Sequence, residues 1–188
     1  MLQVKDLHVR IGLLRVLSGV TFTVNDGDVL LITGGNGAGK STLLAAILSL
    51  EPARVESGSI LFQGREITRL PAHEKAALGI AYLPQRYNVF SDLTVEENLR
   101  VALGPSGPSR FRAEYAAWSE HLPLGRRAAL LSGGQQQRLA WAMTALRPSR
   151  LLLADEPEAG LSEKLPFPKT DTLIIISHSR NWLTPTKA

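Results

Sequence analysis

Three stretches and two strand ends of this 188-residue chain carry residue types and spacings that can do chemistry. "GGNGAGKS" at 34–41 fits G-x-x-x-x-G-K-[ST] and lies between an apolar run and a helical pattern. In that context the backbone N–H groups converge on phosphates, with the helix N-terminus adding partial positive charge. Gly35, Asn36, Gly37, Ala38, Gly39, Lys40, Ser41 and Thr42 make up the cradle. Lys40 is placed for the β and γ phosphates of a nucleoside triphosphate, and the Ser41 hydroxyl for Mg²⁺. "LLLADE" at 151–156 then ends an apolar strand in two carboxylates. Asp155 emerges where α/β sheets bind ligands and suits a metal held through water, while Glu156 can orient or deprotonate an attacking water. Gln85 closes "IAYLPQ" and His178 closes "TLIIISH" in the same way. Each faces the γ phosphate if its strand neighbours the phosphate-loop strand, and is otherwise an ordinary strand end or surface residue. Finally, "LLSGGQQQRLAWAMTAL" at 130–146 sets Ser132-Gly133-Gly134 before a helix, a second turn built to hold an anion.

Positioning these groups requires strands alternating with helices. Residues 2–11 and 16–24 read as strands; in the second, Val20, Phe22 and Val24 alternate with Gly19, Thr21 and Thr23. "NDG" at 25–27 is a hairpin signal, and "DVLLIT" at 28–33 is a strand covered on both faces. A helix over 41–50 presents Leu43, Leu44, Ile47 and Leu48 on one face and ends at Pro52. "SGSILFQGREI" at 57–67 reads as another hairpin strand, and "HEKAALGIAYLPQ" moves from a short helix into a strand. Thr94 and Glu97 stand at capping-box spacing, so a helix covers 93–103. "GPSGPS" at 104–109 breaks it, and 110–129 reads as helical, interrupted by Pro123. The helix behind Ser132-Gly133-Gly134 packs through Leu139, Ala142, Met143 and Leu146, and strands at 150–155 and 172–177 complete a parallel α/β sheet.

Composition narrows the function classes. With 44% hydrophobic and 20% charged residues the chain has the balance of one globular domain. It has no cysteine, so disulfides and thiolate metal sites are excluded and a reducing compartment is expected. The formal charge of +4 is scattered rather than clustered, and no nucleic-acid partner is expected. No apolar run approaches the roughly 20 residues of a membrane span, so work at a membrane would need a partner.

Leu131-Ser132-Gly133-Gly134-Gln135, in order after the phosphate loop and before "LLLADE", resembles the signature of the ATP-binding-cassette (ABC) family. The resemblance runs from residue 2 to about 180. It implies an α/β fold of the P-loop NTPase, ABC ATPase type: a parallel sheet core, an N-terminal antiparallel β subdomain and a helical subdomain insert at about 88–130. The whole of 1–188 is then a single ABC ATPase domain with a truncated C-terminal end. It also implies ATP and Mg²⁺ as ligands and head-to-tail pairing with a second ABC ATPase subunit, in a homo- or heterodimer. Ser132, Gly133, Gly134 and Gln135 of one copy then close over the γ phosphate held by the other. Carried over by position, Gln85 touches metal and water, Asp155 assists the metal, Glu156 is the catalytic base and His178 the γ-phosphate switch. The stretch from Ile67 to Leu99 is most similar to ATPase subunits of branched-chain amino acid importers and related amide or urea importers. Transmembrane permease subunits are the implied partners, contacted by Gln85 and the helical insert, which places the chain on the cytoplasmic face of the cell membrane.

The chain departs from the family pattern at three places. Ile11 stands where the family stacks adenine on an aromatic ring, which predicts looser base recognition. Leu161-Ser162 replaces Leu-Asp, removing a contact between paired domains. The segment from Glu156 to His178 is short, and Pro166 and Pro168 predict a loop where relatives have a helix. Ten residues follow His178, so slow or absent hydrolysis is expected of the isolated chain. Two rival classes are a catalytically weak ABC domain acting as a structural nucleotide-binding partner, and a soluble ABC ATPase acting on DNA or ribosomes. The second rival needs long insertions that this length does not hold.

Overall fold

The computed structural model describes residues 1–86, 88–104, 122–147, 149–158 and 170–178. Its elements run β1 (Leu2–Ile11), β2 (Leu14–Val24), β3 (Val29–Ile32), α1 (Lys40–Leu48), β4 (Ala53–Phe62), β5 (Arg65–Glu66), α2 (Ala72–Ala77), β6 (Ile80–Leu83), α3 (Val95–Leu103), a 3₁₀ turn (Ala128–Leu130), α4 (Gly133–Ala145), β7 (Ser149–Asp155) and β8 (Thr170–Ile176). An antiparallel sheet has the order β2-β1-β4-β5, and a parallel sheet the order β3-β8-β7-β6. This is the predicted combination of a parallel core and an N-terminal antiparallel unit.

The apolar runs of β7 and β8 are explained by cover on both faces. Alternate residues serve different layers, as the pleat requires. Leu151, Leu153, Ile174 and Ile176 join α1 and the inner face of the antiparallel sheet in one buried cluster. Leu152, Ala154, Leu173 and Ile175 meet Ala140 and Trp141 of α4 on the other side. Helix α1, with Leu43, Leu44, Ala46, Ile47 and Leu48 buried, therefore lies between the two sheets. Each such fully buried leucine or isoleucine stabilises the fold by about 1.5–3 kcal/mol.

Helix α4 has two working faces, where the sequence suggested one. Leu139, Ala142 and Leu146 pack with Val95 and Leu99 of α3 and with Leu122, Ala128 and Leu131, and Met143 lies partly buried beside them. Ala140 and Trp141 face the sheet instead. A helix gripped from both sides cannot show a single apolar stripe, and that hid Trp141 from a periodicity argument.

The "NDG" turn is a correction. It closes locally, with Asp28 N–H donating to Asn25 O (3.2 Å) and Asn25 N–H to Asp28 Oδ2 (2.8 Å), yet it makes no hairpin. β2 pairs with β1, while β3 pairs with β8, so the turn hands the chain from one sheet to the other. Gly27 N–H donates to Thr172 Oγ1 (3.1 Å) and ties the turn to β8. The hairpin expected within 57–67 does form, as β4 and β5 about Gln63-Gly64. Helix α1 stops two residues before its predicted end because Ser49 adopts φ 56°, and Leu50 N–H closes onto Ala45 O (2.8 Å). Both capping boxes, Thr94 with Glu97 and Ser132 with Gln135, are present. Of the helix expected over 110–129, residues 110–121 lie outside the described residues, and 128–130 form a 3₁₀ turn. The loop expected around Pro166 and Pro168, and Leu161-Ser162, also lie outside them.

Candidate active site

The phosphate-loop segment leaves β3 at Ile32 and enters α1 at Lys40. Gly39 caps the helix at φ 84°, and a Cβ there would stand 2.7 Å from Leu17 Cδ2 and 3.1 Å from Val16 Cγ1. The left-handed backbone favours glycine at this position, and a side chain would in addition have to displace the tip of Leu17 on β2. Lys40 Nζ curls back over the loop and donates to Gly34 O and Gly35 O, both at 2.9 Å. Residues 36–42 line a cleft of about 340 Å³ together with Ile11, Val16 and Glu156. The cleft is thus bordered directly by Glu156, the carboxylate expected to act as base.

Asp155 and Glu156 end β7 in different environments. Asp155 is 4% exposed, and burial pushes its carboxyl above the usual range. A hydrogen bond from Ser41 works against that rise, as does Lys40, while the charges of Glu156 and Glu158 reinforce it. Its Oδ1 is shut off from water and has no hydrogen-bond partner. Tyr82 on the neighbouring β6 is pushed up to about 12, first by burial and then by the Asp155 charge.

Glu156 takes φ 46°, a left-handed conformation rare outside glycine, and its N–H donates to Ile176 O (2.9 Å). This turn swings its carboxylate between two strand ends. Gln85 Nε2 donates to Glu156 Oε2 at 2.6 Å, and His178 Nε2 meets Oε1 at 3.0 Å. A carboxylate only accepts, so His178 presents Nε2–H to it. Beside them the Ser177 hydroxyl donates to Glu158 Oε1. Gln85, Glu156 and His178, predicted from three separate strand ends, converge because β6, β7 and β8 are adjacent and parallel. The expected adjacency to the phosphate-loop strand β3 holds for β8 and His178 but not for β6, and Gln85 reaches the cluster from the far edge of the sheet through Glu156.

The second anion-ready turn stands elsewhere. Ser132 and Gly133 are exposed, and Ser132 caps α4 through Gln135 N–H (3.3 Å) while its own N–H donates to Gln135 Oε1 (3.1 Å). The amides of Gly133 and Gly134, first in the helix, fall outside its i→i−4 ladder and point outward from its start. Among the described residues, none of 132–135 lines the phosphate-loop cleft of the same chain. Capping and anion binding are compatible here: the side chains lock the turn and leave its N-terminal amides to a ligand.

The sequence matches the ABC transporter family over residues 17–159. The chain belongs to the ABC transporter family. It is an ABC-type ATPase domain. It is 40% identical to the probable branched-chain amino acid transport ATP-binding protein LivF of Archaeoglobus fulgidus, over 87% of this chain and 71% of that protein. It is 33% identical to the lipopolysaccharide export system ATP-binding protein LptB of Haemophilus influenzae, over 89% of this chain and 70% of the relative. The fold is similar to that of a dimeric ATP-binding cassette in a post-hydrolysis state with ADP and Pi, at a TM-score of 0.81 and 24% identity, covering 97% of this chain and 90% of that one.

Two polar residues of this ABC domain escaped the sequence argument. Asn88 and Gln137 are hydrogen-bonded to each other beside the Gln85–Glu156 pair. Their signal was available: Gln137 precedes Ala140 and Trp141 by three and four positions, which puts a carboxamide on a buried helix face.

Proposed function

We propose that this chain is the ATP-hydrolysing subunit of a membrane transporter, working as one half of a head-to-tail pair. The observation that carries the reading is the convergence of Gln85 and His178 on Glu156, which lines the phosphate-loop cleft, with Ser132 and Gly133 exposed outside that cleft. Residues 35–42 bind the triphosphate of ATP. Lys40, which donates to the carbonyls of Gly34 and Gly35, exchanges them for phosphate oxygens when ATP binds. Glu156 takes the proton of the attacking water, which adds to the γ phosphorus as the bond to ADP breaks. His178 and Gln85 hold the carboxylate in place through one hydrogen bond to each oxygen, and each oxygen keeps a lone pair with which to accept that proton. Ser132, Gly133, Gly134 and Gln135 reach the nucleotide of the partner copy.

The residues present suit a magnesium ion. An orphaned, water-screened Asp155 Oδ1 beside the Ser41 hydroxyl is a costly arrangement that a divalent cation would satisfy. Ser41, Gln85 and Asp155 would hold Mg²⁺, which supplies charge neutralisation on the β and γ phosphate oxygens.

A groove of about 780 Å³ runs between β6 and α3, lined by Tyr82, Phe90, Val101 and Met143 among others. Phe90 and Val101 are about half exposed, and Asn88, three positions after Gln85, lies on its wall. Among the described residues no helix is long and apolar enough to cross a membrane. The transport reading therefore gives this groove to permease subunits, with the chain on the cytoplasmic face. Branched-chain amino acid or amide import is the substrate reading, supported by the LivF relative being more similar than the exporter LptB.

The test is Glu156→Gln. Hydrolysis should fall by at least ~10²-fold, the usual contribution of a general base, while ATP binding persists and the variant dimerises with ATP in light scattering. Turnover equal to wild type would refute the catalytic assignment.

A further inference from the structure

Gln137 is 5% exposed and sits near the start of α4, two residues beyond the signature Gln135. Its carboxamide is used in both directions. Nε2 donates to Pro157 O at 3.2 Å, and Oε1 accepts from Asn88 Nδ2 at 2.8 Å. The orientation is fixed by chemistry, since a proline carbonyl can only accept and so must face the amide nitrogen. Asn88 Nδ2 also donates to Pro84 O at 3.3 Å. Pro84 precedes Gln85, Pro157 follows Glu156, and Gln85 and Glu156 are themselves joined at 2.6 Å. The bonds close a ring: Gln85, Pro84, Asn88, Gln137, Pro157, Glu156.

We infer that Gln137 is a positioning residue for hydrolysis, clamping the catalytic base and Gln85 to the helix whose start serves the partner's nucleotide. The inference rests on the hydrolytic reading above and extends it. Pro157 has no N–H with which to anchor itself, and Glu156 holds a strained φ, so this dipeptide depends on outside bonds to keep its place. Gln137 supplies one of them from an element that no strand-end argument connects to the base. Movement of α4 toward a partner copy would thereby reach Glu156 directly. Asn98, fully buried, extends the same framework. Its Oδ1 accepts from Phe90 N–H (2.8 Å) and its Nδ2 donates to Phe90 O (3.0 Å), so the groove-lining loop is pinned to α3 while Asn88 pins it to α4.

The experiment compares steady-state ATP hydrolysis of wild type, Gln137→Met, Gln137→Glu and Asn88→Ala at chain concentrations where ATP pairs the copies in light scattering, with Glu156→Gln as the zero. Met keeps the volume and loses both hydrogen bonds, whereas Glu keeps the acceptor for Asn88 and loses the donor to Pro157. Gln137→Met should lower kcat about tenfold with the KM for ATP unchanged, because no residue touching ATP is altered. Gln137→Glu should fall as far, and Asn88→Ala less. The Asn88→Ala/Gln137→Met pair should lose less than the product of the single losses, as members of one network do. A role limited to folding predicts instead a lowered melting temperature with kcat per folded molecule unchanged, and that result overturns the inference. Should Gln137→Met not fold, the kcat of Asn88→Ala and Gln137→Glu decides in the same way. Wild-type kcat in all three variants overturns the positioning role alone. Wild-type turnover no greater than that of Glu156→Gln overturns the hydrolytic reading and this inference with it.

Discussion

Three of the four glycines in residues 34–41 make a graded test of the loop's geometry. At Gly35 the backbone is not left-handed and an added Cβ would meet nothing within 4 Å. Gly37 also has open space but sits at φ +78°, and Gly39 combines φ +84° with the 2.7 Å approach to Leu17 Cδ2. An alanine in the left-handed region costs roughly 1–2 kcal/mol. Crowding in a packed site adds about 1–3 kcal/mol, and here the low end applies because the nearest atom is the tip of a leucine that can change rotamer. The expected losses are therefore within about 0.5 kcal/mol for Gly35→Ala, about 1–2 for Gly37→Ala and about 2–3 for Gly39→Ala. If the loop keeps its shape the loss appears in stability; if it relaxes, the loss appears in nucleotide affinity, tenfold for each ~1.4 kcal/mol. Urea denaturation and titration with a fluorescent ATP analogue, summed for each variant, measure both. A Gly35→Ala loss equal to or larger than that of Gly39→Ala would refute the argument.

Other outcomes follow from the same geometry. Lys75 is fully buried, donates to Ile47 O (2.7 Å) and Ser49 Oγ (2.8 Å), and has its pKa lowered by burial from 10.5 to about 8. Between those values the unfolded chain binds more protons, so the residue's opposition to folding, complete below pH 8, fades as pH rises. The stability of Lys75→Met relative to wild type should therefore drop by about 2 kcal/mol from pH 7 to pH 10 in parallel denaturation curves, and a pH-independent difference would contradict it. Ile11→Tyr should tighten ATP binding several-fold in titration with a fluorescent ATP analogue, since ring stacking adds roughly 0.5–1.5 kcal/mol beyond area burial, and unchanged affinity would contradict the placement of the base against Ile11. Ser132→Ala should lose its helix cap, at about 1 kcal/mol in thermal unfolding, and also lower hydrolysis in paired chains without weakening ATP binding to the single chain.

Much of the site was legible because parallel strands deliver their last residues to one edge. Gln85, Glu156 and His178 each follow a short apolar run, and the sheet order β8-β7-β6 turned three isolated ends into one cluster. Local rules also carried the capping boxes, since Thr94 with Glu97 and Ser132 with Gln135 need only their own turn. What escaped was non-local. "NDG" names a turn but not the strands that it joins, and β3 finds its partner more than 140 residues away along the chain. The sheet-facing side of α4 and the bonds of Gln137 depend on what lies on each side of the helix, which a polar-to-apolar count along one strip does not record.

The separation of Ser132–Gly134 from the chain's own cleft has a genetic consequence. In a paired assembly of the kind proposed, a copy crippled at Lys40 still lends a sound signature, and a copy crippled at Ser132 still lends a sound loop. Neither defective allele would work by itself, whereas co-expressing the two would rebuild one intact pocket in every mixed pair.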